Sequence, residues 1–171
     1  ELVNRFGDAS SVGVLDRTDV IYVAHVSVQR ARRAAAVVGA RYPAYATSMG
    51  RVLLADLPDE ELARRLDATS FRALTSRTCT DPCRLREDLF QVRENGFATT
   101  VDQLDYGITA LAVPIRDPQG RTVAALNSSG YTGVVTPESL IEERLPALRE
   151  AASHIAHEMV RFPVLHTVLG S

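Results

Sequence analysis

Tryptophan and lysine are absent from this 171-residue chain, cysteine and methionine occur twice each, and aromatic residues make up 6%. The two cysteines, Cys79 and Cys83, stand in CTDPC. One C-x3-C pair without further Cys or a nearby His supplies too few ligands for zinc, and two thiols cannot staple a domain of this length. They read as loop thiols in a reducing compartment. Long apolar runs are missing too. The stretch 34–40 is among the longest, far below the roughly 18 residues of a membrane span. No charged-then-apolar signal segment opens the sequence, so cytoplasm is the expected location and no membrane partner is expected.

Because lysine is lacking, all 19 basic residues are Arg, which we attribute to a GC-rich gene rather than to function. They are scattered, and against 21 acidic residues the net charge is −2. A domain that grips a nucleic-acid backbone unaided is usually basic, so this chain is not expected to bind DNA alone. Catalytic and nucleotide signatures are missing as well: no G-x-G-x-x-G, no P-loop and no G-x-S-x-G occurs.

What is present reads as one soluble α+β domain. Its length is enough to bury roughly 70% of the unfolded surface without disulfide or metal. Three strands are expected over residues 11–38. The first spans Val12–Leu15 and the second Val20–Val26, separated by the turn Asp16-Arg17-Thr18-Asp19. The third falls near 30–38 and stops at Gly39. Pro43 breaks regular structure, and residues 41–47 read as a loop entering a helix capped by Thr47 or Ser48. A second helix opens at Pro58, and a third covers 84–95 and stops at Gly96. Strands follow at 97–101, 109–115 and 121–128, the last two joined by Asp117-Pro118-Gln119-Gly120. A final helical region runs from Pro137, is interrupted at Pro146, and ends near Arg161. Segregated runs of strands argue for a mainly antiparallel sheet of about six strands flanked by helices.

Two segments could carry chemistry. A helix start exposes unpaired N–H groups and a partial positive charge, which attract a carboxylate. Ser48, Met49 and Gly50 offer such a start with no competing acid, although an ordinary capped helix would look the same. At the end of the last strand, Asn127 and Ser129 share one face. They could orient a ligand, or could simply be strand fraying into a turn. His154, His157 and Glu158 lie together on the last helix. Two histidines make no metal site, and a polar helix face explains them as well.

Four strings in order carry a family resemblance: YPAYATSMGRVLLA (42–55), LREDLFQVRENGFATTVDQLDYGI (85–108), TALAVPIRDPQGRTVAALNSSG (109–130) and the closing helix. Together they resemble the C-terminal effector-binding domain of IclR-type bacterial transcription regulators. The match is nearest to the branch governing aromatic-acid catabolism through protocatechuate and β-ketoadipate. The resemblance implies a GAF-like fold with a small carboxylate effector bound between sheet and helix. By position it assigns Ser48 and Met49 to the helix-start contacts, with Gly50 beside them. Ile108 and Ala110 become the apolar wall, and Asn127 and Ser129 the polar contacts at the strand end. Asp102 is the nearest candidate for the family's acidic contact, and Gln103 stands where a glutamate is frequent. No cofactor and no metal is implied.

The resemblance further implies that residues 1–10 are the end of a linker from an N-terminal winged helix-turn-helix domain, with 11–171 as the effector domain. DNA would be bound only through that other domain, and the protein would be a homodimer or tetramer. Apolar Leu145, Leu148, Ile155 and Met159 on the last helix are a further, weaker reason to expect self-association, although a single helix more commonly buries such residues in its own core. The expected function is therefore effector sensing for a transcriptional regulator, not catalysis. The rivals are a small enzyme using the same pocket and an oligomerisation module without ligand.

Overall fold

The computed structural model describes residues 1–28 and 37–161. A short helix, α1 (Leu2–Phe6), precedes the hairpin β1 (Ala9–Asp16) and β2 (Asp19–Ser27). Then come β3 (Arg41–Pro43), a 3-10 turn at Ala44–Ala46, and helices α2 (Ser48–Ala55), α3 (Asp59–Asp67) and α4 (Pro82–Asn95). Strands β4 (Ala98–Val101), β5 (Ile108–Arg116) and β6 (Thr122–Tyr131) follow, and α5 (Pro137–Arg161) closes the chain. The six strands form one sheet in the order β3-β2-β1-β6-β5-β4, and every pairing is antiparallel. The α+β expectation holds.

Local chemistry places the element ends. Gly96 takes the left-handed conformation, φ 70°, that stops α4, and its N–H bonds the Val92 carbonyl. Asp117 closes the β5–β6 turn by accepting the N–H groups of Gln119 at 3.0 Å and Arg121 at 2.9 Å.

Three expectations are corrected. The third strand expected near 30–38 lies mostly outside the described residues, and 37–38 are not strand. Among the described residues the strand that follows β2 is Arg41–Pro43, read from sequence as loop. Pro43 is tolerated because β3 is an edge strand, so its missing N–H interrupts no ladder. Helix α5 also runs unbroken through Pro146. Pro146 is exposed, so water can satisfy the carbonyl one turn earlier. Finally, Leu145, Leu148 and Met159 are buried and Ile155 packs beside them, so these residues serve the core and give no support to self-association.

The core has two layers, one on each sheet face. One face packs against α2, α3 and α4 through Val20, Met49, Leu53, Leu85 and Leu89. The other packs against α5 through Leu111, Val113, Ile115, Leu140 and Leu148. Full burial of each such side chain stabilises the fold by about 1.5–3 kcal/mol. Under α5, buried Arg144 pairs with Asp8 at 2.8 Å, donates to Ser128 Oγ at 2.9 Å and lies over the Phe6 ring at 5.1 Å. That set ties α1 and the start of β1 to the back of β6.

Candidate functional site

The strand registers gather residues of β6, β5, β1 and β2 on the sheet face that α2 covers. Asn127 of β6 stands opposite Ala112 of β5 and Ser11 of β1, and Ser11 stands opposite His25 of β2. The next row on the same face is Ala9, Ser129, Ala110 and Thr100. Ile108 follows on that face two residues further along β5. On the other side of these rows, Gly13 and Ala125 pair and lie beneath α2. A side chain on Gly13 would touch Met49 Sδ, so Met49 fills the space between α2 and β1.

Helix α2 is fixed at both ends. Its C-terminal Asp56 accepts Arg116 Nη1 at 3.0 Å and the Thr122 N–H at 2.9 Å. At its start Thr47 is the cap, with its hydroxyl accepting the Gly50 N–H at 3.0 Å. The Thr47 carbonyl accepts the Arg51 N–H at 3.0 Å. Of the four N–H groups a helix start leaves unpaired, those of Ser48 and Met49 therefore remain without partners among the described residues. Gly50 is required by the preceding 3-10 turn, because a Cβ there would collide with the Ala44 backbone.

Several polar side chains of this face and of the α2 start are buried with hydrogen-bonding capacity left over. Ser48, Thr100 and Asn127 are 2%, 7% and 5% exposed. Asn127 Oδ1 accepts the Ser11 N–H at 2.8 Å, which fixes the amide orientation and leaves its NH2 group available. The hydroxyls of Ser48, Thr100 and Ser129 make no hydrogen bond among the described residues. Two small side chains stand beside them, Ala110 opposite Thr100 and Ser129 and Ala112 opposite Asn127.

Asp102 is used differently. It sits at φ 52°, and its Oδ1 accepts the Gly107 N–H at 2.7 Å and the Thr132 hydroxyl at 2.8 Å. That carboxylate closes its own loop. Its neighbour Gln103 reaches α2 instead, accepting Arg51 Nη2 at 3.1 Å and the Cys79 N–H at 2.8 Å. Buried Arg51 also donates to the Tyr45 carbonyl at 3.0 Å and meets Asp88 at 3.3 Å. Burial lowers the Arg51 pKa from its ordinary value, and Asp88 counters this. The set fastens the helix start to α4 and to the loop at 102–107.

Ser11, His25, Thr100 and Arg51 were missed in the sequence. Ser11 Oγ and His25 Nδ1 are 2.9 Å apart. His25 Nε2 is buried and has no partner. Burial lowers the His25 pKa, so the ring is neutral at pH 7. Strand alternation could have put Ser11 and His25 on inward positions, but nothing local signals the pairing across 116 residues that sets Asn127 beside them. Among the described residues no three His, Cys, Asp or Glu gather as a metal site, and no helix is long and apolar enough to cross a membrane. A separate shallow cleft lies at the far end of α2, lined by Val52, Ala55, Arg93 and Arg116 among others.

Comparison with known proteins agrees with this architecture. Residues 1–157 match the family described as Bacterial transcriptional regulator IclR C-terminal. The Pca regulon regulatory protein of Pseudomonas putida is 38% identical over 153 residues, covering 89% of this chain and 53% of that protein. A double mutant of the inducer-binding domain of PobR from Acinetobacter, solved with 3-hydroxybenzoic acid, superposes with TM-score 0.84 at 34% identity, covering 91% of each chain. An IclR homologue from Microbacterium hydrocarbonoxydans, solved with 4-hydroxybenzoate, gives TM-score 0.81 at 26% identity over 94% of this chain and 64% of that one. The chain spans about half the length of the curated relatives it matches. On the family match and these structural likenesses, the chain belongs to the C-terminal effector-binding domain family of IclR-type bacterial transcriptional regulators.

Proposed function

We propose that this domain senses a small aromatic carboxylic acid and, through that binding, sets the DNA-binding state of a regulator of which it is one part. The observation that carries the reading is the set of uncommitted donors on one face: the N–H groups of Ser48 and Met49, the Ser48, Thr100 and Ser129 hydroxyls, and the Asn127 amide. The helix start suits a carboxylate. Ala110 and Ala112 suit a flat ring, and Asn127 and Ser129 suit a second polar group. Two solved relatives bound to hydroxybenzoates support this ligand class. In this reading Ser48, Met49, Gly50, Ile108, Ala110, Asn127 and Ser129 form the site, and Asp102 shapes its rim. Residues 1–10 lead to a DNA-binding domain, the assembly is a homodimer or tetramer, and the protein works in the cytoplasm.

Such a ligand acts on DNA binding only through different affinities for the regulator's states. At about 100 times its dissociation constant it stabilises the domain by about 2.7 kcal/mol. Thermal unfolding with 4-hydroxybenzoate, 3-hydroxybenzoate, protocatechuate, β-ketoadipate and pyruvate tests the proposal. An aromatic acid raises the melting temperature by several degrees. No shift with any of the five refutes the reading.

One observation favours a second reading, an enzyme: the Ser11–His25 contact is a nucleophile–base pair in type. Recognition is the better supported of the two, because among the described residues no carboxylate bonds His25 and its second nitrogen is unpartnered. Ester hydrolysis abolished by Ser11→Ala would reverse that preference.

A further inference from the structure

We infer that His25, seated on Ser11 in the row that ends at Asn127, is the residue that selects a ring-hydroxylated acid over an unsubstituted one. The inference rests on the sensing role just proposed and adds a contact that the helix start and strand end do not supply.

The row crosses three adjacent strands. Asn127 Oδ1 holds the Ser11 backbone N–H at 2.8 Å, and the Ser11 hydroxyl holds His25 Nδ1 at 2.9 Å. These bonds fix the imidazole. Its other nitrogen, Nε2, lies on the far side of the ring, buried and unpaired. Buried polar atoms are nearly always satisfied, so Nε2 is a position that a water or a ligand group fills. In the same row Ala112 is apolar, and the uncommitted Ser129 and Thr100 hydroxyls belong to the next row, beside Ala110.

The chemistry favours a hydroxyl at Nε2. The ring is neutral, so exactly one nitrogen carries a proton. The Ser11 hydroxyl can either donate to Nδ1 or accept from it, and Nε2 then donates or accepts correspondingly. A phenolic hydroxyl can answer either state. A bare aromatic C–H answers neither and leaves Nε2 unpaired in the complex. A site built to hydrogen-bond a hydroxyl discriminates strongly against the analogue lacking it, for that reason.

Calorimetry with 4-hydroxybenzoate, 3-hydroxybenzoate and benzoate, on the wild-type chain and on His25→Phe, His25→Gln and Ser11→Ala, tests the assignment. The wild type binds one of the hydroxybenzoates at least about tenfold more tightly than benzoate. His25→Phe weakens that hydroxybenzoate about tenfold more than it weakens benzoate, and His25→Gln keeps part of the preference because its amide still bonds. Ser11→Ala, which frees the ring without removing it, gives an intermediate ratio and serves where His25→Phe does not fold. An unchanged preference in His25→Phe, or in both His25→Gln and Ser11→Ala, overturns the inference and leaves the sensing role standing. Binding of none of the three acids by the wild type overturns both.

Discussion

Replacing Gly50 with alanine sets two effects of opposite sign against each other. Helix propensity alone favours alanine inside α2 by about 1 kcal/mol. The structure opposes it, because a Cβ on Gly50 would overlap the carbonyl oxygen and Cα of Ala44 and stand 2.6 Å from its carbonyl carbon. All three are backbone atoms, so no side-chain rotation relieves the contact. Overpacking costs about 1–3 kcal/mol, and the severity here argues for the upper half. Separating turn from helix also loosens the Thr47 cap, which accepts the Gly50 N–H and contributes about 1 kcal/mol. The net expectation is destabilisation by about 2–3 kcal/mol. For a chain of this size that lowers the melting temperature by about 4–12 °C. Urea unfolding gives the number directly, with the denaturant slope unchanged if only the native state is strained. Hydroxybenzoate affinity falls in the same variant, since the Ser48 and Met49 N–H groups move. A variant as stable as wild type, or more stable, means that propensity wins and that the turn does not pack against the helix start as described.

Arg51→Lys removes the fork that serves the Tyr45 carbonyl, Asp88 and Gln103 together, and one ammonium cannot replace it. Chemical denaturation should show a loss of about 1–3 kcal/mol, with weakened ligand binding. Arg144→Met removes an ion pair to Asp8 and the donor to Ser128 Oγ and should cost about 1–3 kcal/mol, read by the same assay. The folded His25 pKa lies below its ordinary value of 6.5, so the unfolded chain takes up its proton first. His25 thus contributes stability above pH 6.5 that is lost as pH falls towards the folded pKa, and His25→Gln should flatten that part of the stability–pH curve.

The parts of this fold that were legible in the sequence are those set by neighbours along the chain. Thr47 before Ser48, Gly96 after α4 and Asp117 to Gly120 between β5 and β6 act over a few residues, and each appears where its chemistry demands. The alternation of Asn127 and Ser129 likewise follows from strand geometry alone. What escaped depends on distant partners. Arg41–Pro43 is a strand because the edge of β2 accepts it, and nothing within those three residues says so. Pro146 is harmless because its side of α5 faces solvent. Leu145 and Met159 left core and self-association open because the sheet face that buries them is formed elsewhere in the chain. Ser11 and His25 join the site only through the β1–β6 and β1–β2 registers. Asp102 was chosen for its charge, yet the loop turns its carboxylate onto Gly107 and Thr132, and the neutral Gln103 is the side chain that reaches the helix.

The central claim is that an aromatic carboxylate is bound at the start of α2, and amide chemical shifts during a titration with 4-hydroxybenzoate test it most directly. The account predicts that the Ser48 and Met49 amides move most, moving downfield as they donate to the carboxylate, with the Asn127 side-chain amide responding on the same saturation curve. Saturable binding that leaves those three signals in place, and shifts instead the residues of the cleft at the far end of α2 around Val52, Ala55 and Arg93, would contradict it.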